Sequence, residues 1–119
     1  MSEHDEQVAL FKWARVGINT YPELLNMFAI PNGGKRDKAV AGKLKAEGVK
    51  AGVPDIFLAV PNHKYHGLFI EMKYGRNKLT DEQRAWKEKL VLENYGYVVC
   101  YSWIEASEEI KKYLEHRDD

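Results

Sequence analysis

The tripeptide Glu71-Met72-Lys73 ends an apolar run, Leu68-Phe69-Ile70, with two charged side chains one residue apart. Side chains alternate along a strand, so Glu71 and Lys73 emerge on one face while Ile70 and Met72 go to the other. Charges at the end of so apolar a run are expensive to bury unless they are paired or bound to something. Asp55 follows Pro54 at the mouth of the preceding apolar segment, Ile56-Phe57-Leu58-Ala59-Val60. If residues 55–60 and 67–73 pair as a hairpin, Asp55 faces Glu71 and Lys73. Two carboxylates converging in this way make a hard-oxygen site suited to Mg²⁺ or Mn²⁺. Such a cation neutralises a phosphate and lowers the pKa of a bound water, while Lys73 orients that water or stabilises growing negative charge. The spacing alone also fits a plain salt bridge from Lys73 to Glu71 or Asp55.

The elements that must position these groups follow from periodicity and turn chemistry. From Asp5 to about Val16 the chain reads as a helix, with Gln7, Leu10, Phe11 and Ala14 on one stripe. Asn32-Gly33-Gly34 is a turn, and the basic segment after it reads as helical up to Gly48. Gly52-Val53-Pro54 breaks into the strand 56–60, residues 61–67 have hairpin-loop chemistry, and Leu68–Lys73 is the second strand. A Gly-Arg-Asn-Lys loop at 75–78 leads to a helix of about fifteen residues, then a strand Tyr97–Tyr101 and a helix from Trp103 to His116. Thr80-Asp81-Glu82-Gln83 and Ser102-Trp103-Ile104-Glu105 both fit a capping box. The expected order is α-α-β-β-α-β-α, a mixed α/β domain.

The length of 119 residues suits one compact domain over 1–119, and the aromatic and apolar content is that of a globular chain. No apolar run reaches membrane-spanning length, and the acidic start is not a signal peptide. The single Cys100 reads as a buried strand cysteine in a reducing cytoplasm. Net charge is zero, yet Lys35, Arg36, Lys38, Lys43, Lys45 and Lys50 stand against only Asp37 and Glu47 across 35–50. A neutral chain with one basic segment can hold phosphates locally, although a solvated helix face would look the same. The four histidines show no metal-ligand spacing. No P-loop, GxGxxG or Ser-His-Asp arrangement is present, so a nucleotide cofactor and acyl transfer have no support.

Taken in order, Gly52-Val53-Pro54-Asp55, Glu71-Met72-Lys73 and Leu79-Thr80-x-x-Gln83-x-x-Trp86 strongly resemble the VRR-NUC (virus-type replication-repair nuclease) family. That family is a branch of the PD-(D/E)xK superfamily, close to archaeal Holliday-junction resolvases. Asn32-Gly33-Gly34 with its basic followers looks like the same family, and the likeness spans about residues 3 to 103.

The resemblance implies a restriction-endonuclease-like core, a small mixed β-sheet flanked by helices. It implies a Mg²⁺- or Mn²⁺-dependent endonuclease of phage or bacterial origin that hydrolyses DNA phosphodiesters, structure-selective for branched DNA such as Holliday junctions. Asp55, Glu71 and Lys73 would then be catalytic, with Asp55 and Glu71 as metal ligands. Gln83 would be an active-site polar residue, although the capping box explains it without any function. The first helix usually supplies another carboxylate, for which Glu6 is slightly favoured over Glu3; an acidic first turn complementing the helix dipole is the alternative. Lys35, Arg36, Lys38, Arg76 and Lys78 are candidates for phosphate contacts. Stand-alone members look like homodimers, and Tyr97, Tyr101, Trp103 and Tyr113 form either an apolar patch for that contact or ordinary core. Two rival readings remain: a catalytically silent DNA-binding module on the same fold, and a sequence-specific restriction-type endonuclease.

Overall fold

A computed structural model describes residues 1–31 and 37–116. The Asn32-Gly33-Gly34 turn and two of the phosphate-contact candidates, Lys35 and Arg36, lie outside the described residues.

Helix α1 (Glu3–Gly17) starts where Ser2 caps it. The Ser2 hydroxyl accepts from the Asp5 N–H, and the Asp5 carboxylate accepts in return from the Ser2 N–H at 3.1 Å. A short 3₁₀ turn over Pro22–Asn26 then feeds strand β1, Met27–Ala29. Helix α2 (Lys38–Ala46) is capped by Asp37, and its chain leaves through Gly48 at φ +99. Strands β2 (Ile56–Leu58) and β3 (Leu68–Met72) follow, then helix α3 (Asp81–Leu92), strand β4 (Gly96–Cys100) and helix α4 (Trp103–Glu115).

The sheet runs β1-β2-β3-β4. The first three strands are antiparallel, and α3 carries the chain across so that β4 lies parallel to β3. The result is a mixed α/β sheet flanked by helices, as the sequence implied. The hairpin forms with Ile56 opposite Ile70 and Leu58 opposite Leu68.

Two elements went unread in the sequence, the 3₁₀ turn and β1. Three residues, Met27-Phe28-Ala29, are too few to show alternation, and only Met27 is buried. β1 becomes a strand through pairing with β2, which is tertiary information.

One face of the sheet is the core. Ile56, Leu58, Leu68, Ile70, Met72 and Cys100 are buried there with Leu10 and Ala14 of α1 and Ala106, Ile110 and Leu114 of α4. Burial pushes the Cys100 thiol up to about 12, so it is an inert strand cysteine. The aromatic residues considered for a dimer patch do not share one surface. Tyr113 is buried in the core with its hydroxyl donating to the Val60 carbonyl at 2.5 Å, Trp103 packs against that core, and Tyr97 has a different face. Among the described residues no helix is long and apolar enough to cross a membrane.

Candidate active site

The other face of the sheet is set by the same alternation. Continuing the register of Ile56 with Ile70 by one step brings Asp55 beside Glu71, and β4 adds Tyr97 opposite Phe69 and Val99 opposite Glu71. Phe57 and Phe69 stack at 4.3 Å on this face and support the carboxylate end of the hairpin.

Asp55 is held from several directions. Its Oδ2 accepts the Met72 N–H at 2.8 Å, and its carbonyl accepts the Ile30 N–H at 2.7 Å just past β1. Upstream, Gly52 has φ +85, and a Cβ there would lie 2.8 Å from the Glu82 backbone. Only glycine combines that conformation with that approach. The Trp86 indole N–H donates to the Ala51 carbonyl at 3.2 Å, so the loop leading to Pro54-Asp55 is laid against α3.

Glu71 is 1% exposed, and its Oε1 has no hydrogen-bond partner among the described residues. Burial, then a hydrogen bond with Asp55 and the charge of that group, push the Glu71 carboxyl up to about 10, against a smaller opposing pull from Lys73. Lys73 is 6% exposed, and its N–H donates to the Cys100 carbonyl at 2.9 Å. Among the described residues no salt bridge joins Lys73 to Glu71, its neighbour on the same face of the strand.

Glu6 and Glu3 take different places. Glu6 is buried, and its Oε1 accepts the Trp103 N–H at 2.8 Å at the start of α4. Glu3, one turn earlier and half-buried, is the helix carboxylate whose charge acts on Glu71. Gln83 forms the anticipated capping box. Its Oε1 accepts the Thr80 N–H at 2.9 Å, its N–H donates to the Thr80 hydroxyl at 3.2 Å, and its side-chain nitrogen is uncommitted among the described residues. Gln83, Trp86 and Leu90 are the half-buried positions of α3. Arg76 and Lys78 are exposed on the loop that follows Lys73, a loop tied down by the Tyr101 hydroxyl donating to the Asn77 carbonyl at 2.8 Å. Lys38 is exposed in the first turn of α2.

The sequence placed Tyr97 in an aromatic patch or ordinary core and gave it no role at the site. Its hydroxyl is buried on the Glu71 face without a partner among the described residues, and the sequence signal for that face is its two-residue spacing from Val99.

Among the described residues no three His, Cys, Asp or Glu side chains form a ready-made metal cage. The donor chemistry nevertheless fits a hard divalent cation. A buried carboxyl with one orphan oxygen, hydrogen-bonded to a second carboxyl, holds its proton well above the ordinary carboxylate range, and positive charge beside it would favour the ionised form.

Comparison with known proteins matches residues 8–103 to the VRR-NUC domain. A solved structure described as a VRR_NUC domain protein superposes with a TM-score of 0.83 at 28% identity, covering 99% of this chain and 92% of that one. No curated protein sequence matches. With four-fifths of its length matched and the sheet and helices superposed, the chain belongs to the VRR-NUC domain family of nucleases.

Proposed function

We propose that this protein is a Mg²⁺- or Mn²⁺-dependent endodeoxyribonuclease that hydrolyses phosphodiester bonds of branched DNA. One observation carries the reading. Glu71 is a buried carboxyl with an oxygen that finds no partner among the described residues, hydrogen-bonded to Asp55 and flanked by the buried Lys73. A structural ion pair has no need of that arrangement, whereas a cation site opposite a phosphate does.

Asp55 and Glu71 would hold the divalent cation, with Glu3, whose charge acts on Glu71, as a candidate helix carboxylate and Glu6 the one that the sequence favoured. When bound, the cation supplies charge neutralisation at the scissile phosphate and a more acidic water. The chain's residues do the rest. Met72 orients Asp55 through its N–H. Lys73, on the same face as Glu71, stabilises the negative charge that builds on the phosphate during attack. The uncommitted side-chain nitrogen of Gln83 can donate to a water or phosphate oxygen. Arg76 and Lys78, on the loop leaving Lys73, and Lys38 on α2 contact backbone phosphates, whose grip is salt-dependent.

A four-way junction is two-fold symmetric, and paired cuts in opposed strands need two sites. A C₂ dimer of a chain carrying one site supplies them. The test is cleavage of labelled duplex, flap, single-stranded and four-way DNA with Mg²⁺ or EDTA, alongside the mass in solution by light scattering. Metal-dependent paired cuts in the junction by a dimer are expected. A monomer that nicks every substrate alike would retain the nuclease and remove the junction selectivity.

A further inference from the structure

Two buried side-chain polar atoms lack a hydrogen-bond partner among the described residues, the Glu71 Oε1 and the Tyr97 hydroxyl. They lie on adjacent strands and on one face. With Glu71 opposite Val99 and Phe69 opposite Tyr97 in the parallel β3–β4 pair, Tyr97 is the diagonal neighbour of Glu71. A diagonal neighbour on a sheet is within reach of an aromatic side chain. One orphan is an acceptor and the other is a donor, so each has the chemistry the other lacks. Lys87 of α3 stands over the Tyr97 ring, with its Nζ 5.7 Å from the centroid, which covers the ring from the helix side.

We propose that Tyr97 is a positioning residue of the nuclease site, its hydroxyl donating to one buried water that in turn donates to the Glu71 Oε1, and so fixing the orientation in which that carboxyl meets the cation. The assignment rests on the metal-dependent reading above. A buried water shared by two such groups and the nearby carboxyl has the several polar partners it needs. A phenol keeps its proton at neutral pH, so the Tyr97 hydroxyl is available as a donor. Second-layer hydrogen bonds of this kind orient a ligand oxygen without touching substrate.

The test is Tyr97→Phe, which removes one oxygen and keeps the ring under Lys87. Calorimetric titration of the DNA-free protein with Mn²⁺ should show affinity weakened by roughly tenfold to a hundredfold. The Mn²⁺ concentration for half-maximal cleavage should rise by a similar factor, with most of the rate recovered at saturating Mn²⁺. In metal-free urea unfolding, Tyr97→Phe and Glu71→Ala should be coupled, the double variant departing from the product of the single effects by about fivefold. A merely structural tyrosine would lower the melting temperature and leave Mn²⁺ affinity and that coupling untouched, which overturns the assignment. If Glu71→Gln abolishes Mn²⁺ binding while Tyr97→Phe binds as wild type, Tyr97 alone is removed. If the wild type binds no Mn²⁺, the metal-dependent reading falls and this assignment falls with it.

Discussion

The Glu6 carboxylate accepts the Trp103 N–H at 2.8 Å, joining α1 to the first residue of α4 across 97 positions of the chain. A helix leaves its first N–H groups unsatisfied and carries partial positive charge at that end, so a buried carboxylate there is both a cap and a charge partner. The contact separates the two candidates for the helix carboxylate. Glu6→Ala should lower stability by about 1–3 kcal/mol, the range for losing a charged hydrogen bond, while sparing cleavage per folded molecule. Glu3→Ala should do the reverse, weakening Mn²⁺ binding with little change in melting temperature. Calorimetry and a thermal melt on both variants decide it. Loss of Mn²⁺ binding in Glu6→Ala with a silent Glu3→Ala would return the role to Glu6.

Asp55→Asn, Glu71→Gln and Lys73→Ala should each leave a folded protein and lower the cleavage rate by on the order of 10²–10³-fold, the range for removing one preorganised charge-stabilising group. The carboxylate changes should also weaken Mn²⁺ binding, whereas Lys73→Ala should largely spare it. Single-turnover cleavage and metal titration separate the two classes. A Glu71→Gln protein that cuts DNA at the wild-type rate would falsify the site.

Metal-free stability should fall as pH rises. The Glu71 carboxyl ordinarily titrates near 4.5 and is pushed up to about 10 in the fold. Between those values the folded state holds a proton that the unfolded chain has released, so unfolding becomes easier with each step upward in pH. The contribution is fully present below about pH 4.5 and is lost through the alkaline end. Melting temperature should therefore decline from about pH 5 to pH 9 without metal. Glu71→Gln should flatten that decline, and added Mg²⁺ should raise the melting temperature more at high pH than at low. A metal-free melting temperature that climbs across this range would contradict the buried-carboxyl assignment.

The placement of Asp55, Glu71 and Lys73 was legible because strand alternation is local. Glu71 and Lys73 had to share a face, and the hairpin chemistry of 61–67 put Asp55 beside them. The α3 cap was legible for the same reason, since a capping box needs only four consecutive residues. β1 was not, because its pairing partner lies 27 or more residues downstream of it. Tyr97 was not, because its relation to Glu71 exists only once β4 is known to run parallel to β3 with Val99 as the partner of Glu71. The different surroundings of Glu6 and Glu3 were not legible because the contact that sets Glu6 apart, the Trp103 N–H, comes from the other end of the chain.

Gln83 has a cap role and an offered site role, and substitution should resolve them. Thr80→Ala and Gln83→Ala both break the capping box. Thr80→Ala should cost about 0.5–2 kcal/mol, with cleavage changing only in step with the folded fraction. Gln83→Ala should lose the same order of stability and, beyond it, at least about tenfold in rate if its amide nitrogen meets the reacting phosphate or water. Equal, purely thermal phenotypes in the two variants would remove Gln83 from the site.

Gly52 should be irreplaceable through geometry, with no chemical role of its own. Its φ of +85 is a conformation that side-chain-bearing residues avoid, and an added Cβ would meet the Glu82 carbonyl carbon and oxygen at 2.8 Å. The loop cannot yield without lifting away from α3, where the Trp86 indole holds the Ala51 carbonyl. Asp55 lies three residues on, so any shift is passed to the carboxyl that Met72 orients. Gly52→Ala should therefore lower stability by about 1–3 kcal/mol and depress the rate further than unfolding explains, since misplacing a catalytic group by about 1 Å can cost on the order of 10²-fold. Gly42→Ala is the control. It lies within α2 with nothing within 4 Å of the new Cβ, and helix propensity favours alanine there by roughly 0.5–1 kcal/mol. The check is melting temperature and single-turnover rate at saturating Mn²⁺ for both variants. If Gly52→Ala melts and cuts like wild type, the seat of this loop on α3 is not what positions Asp55.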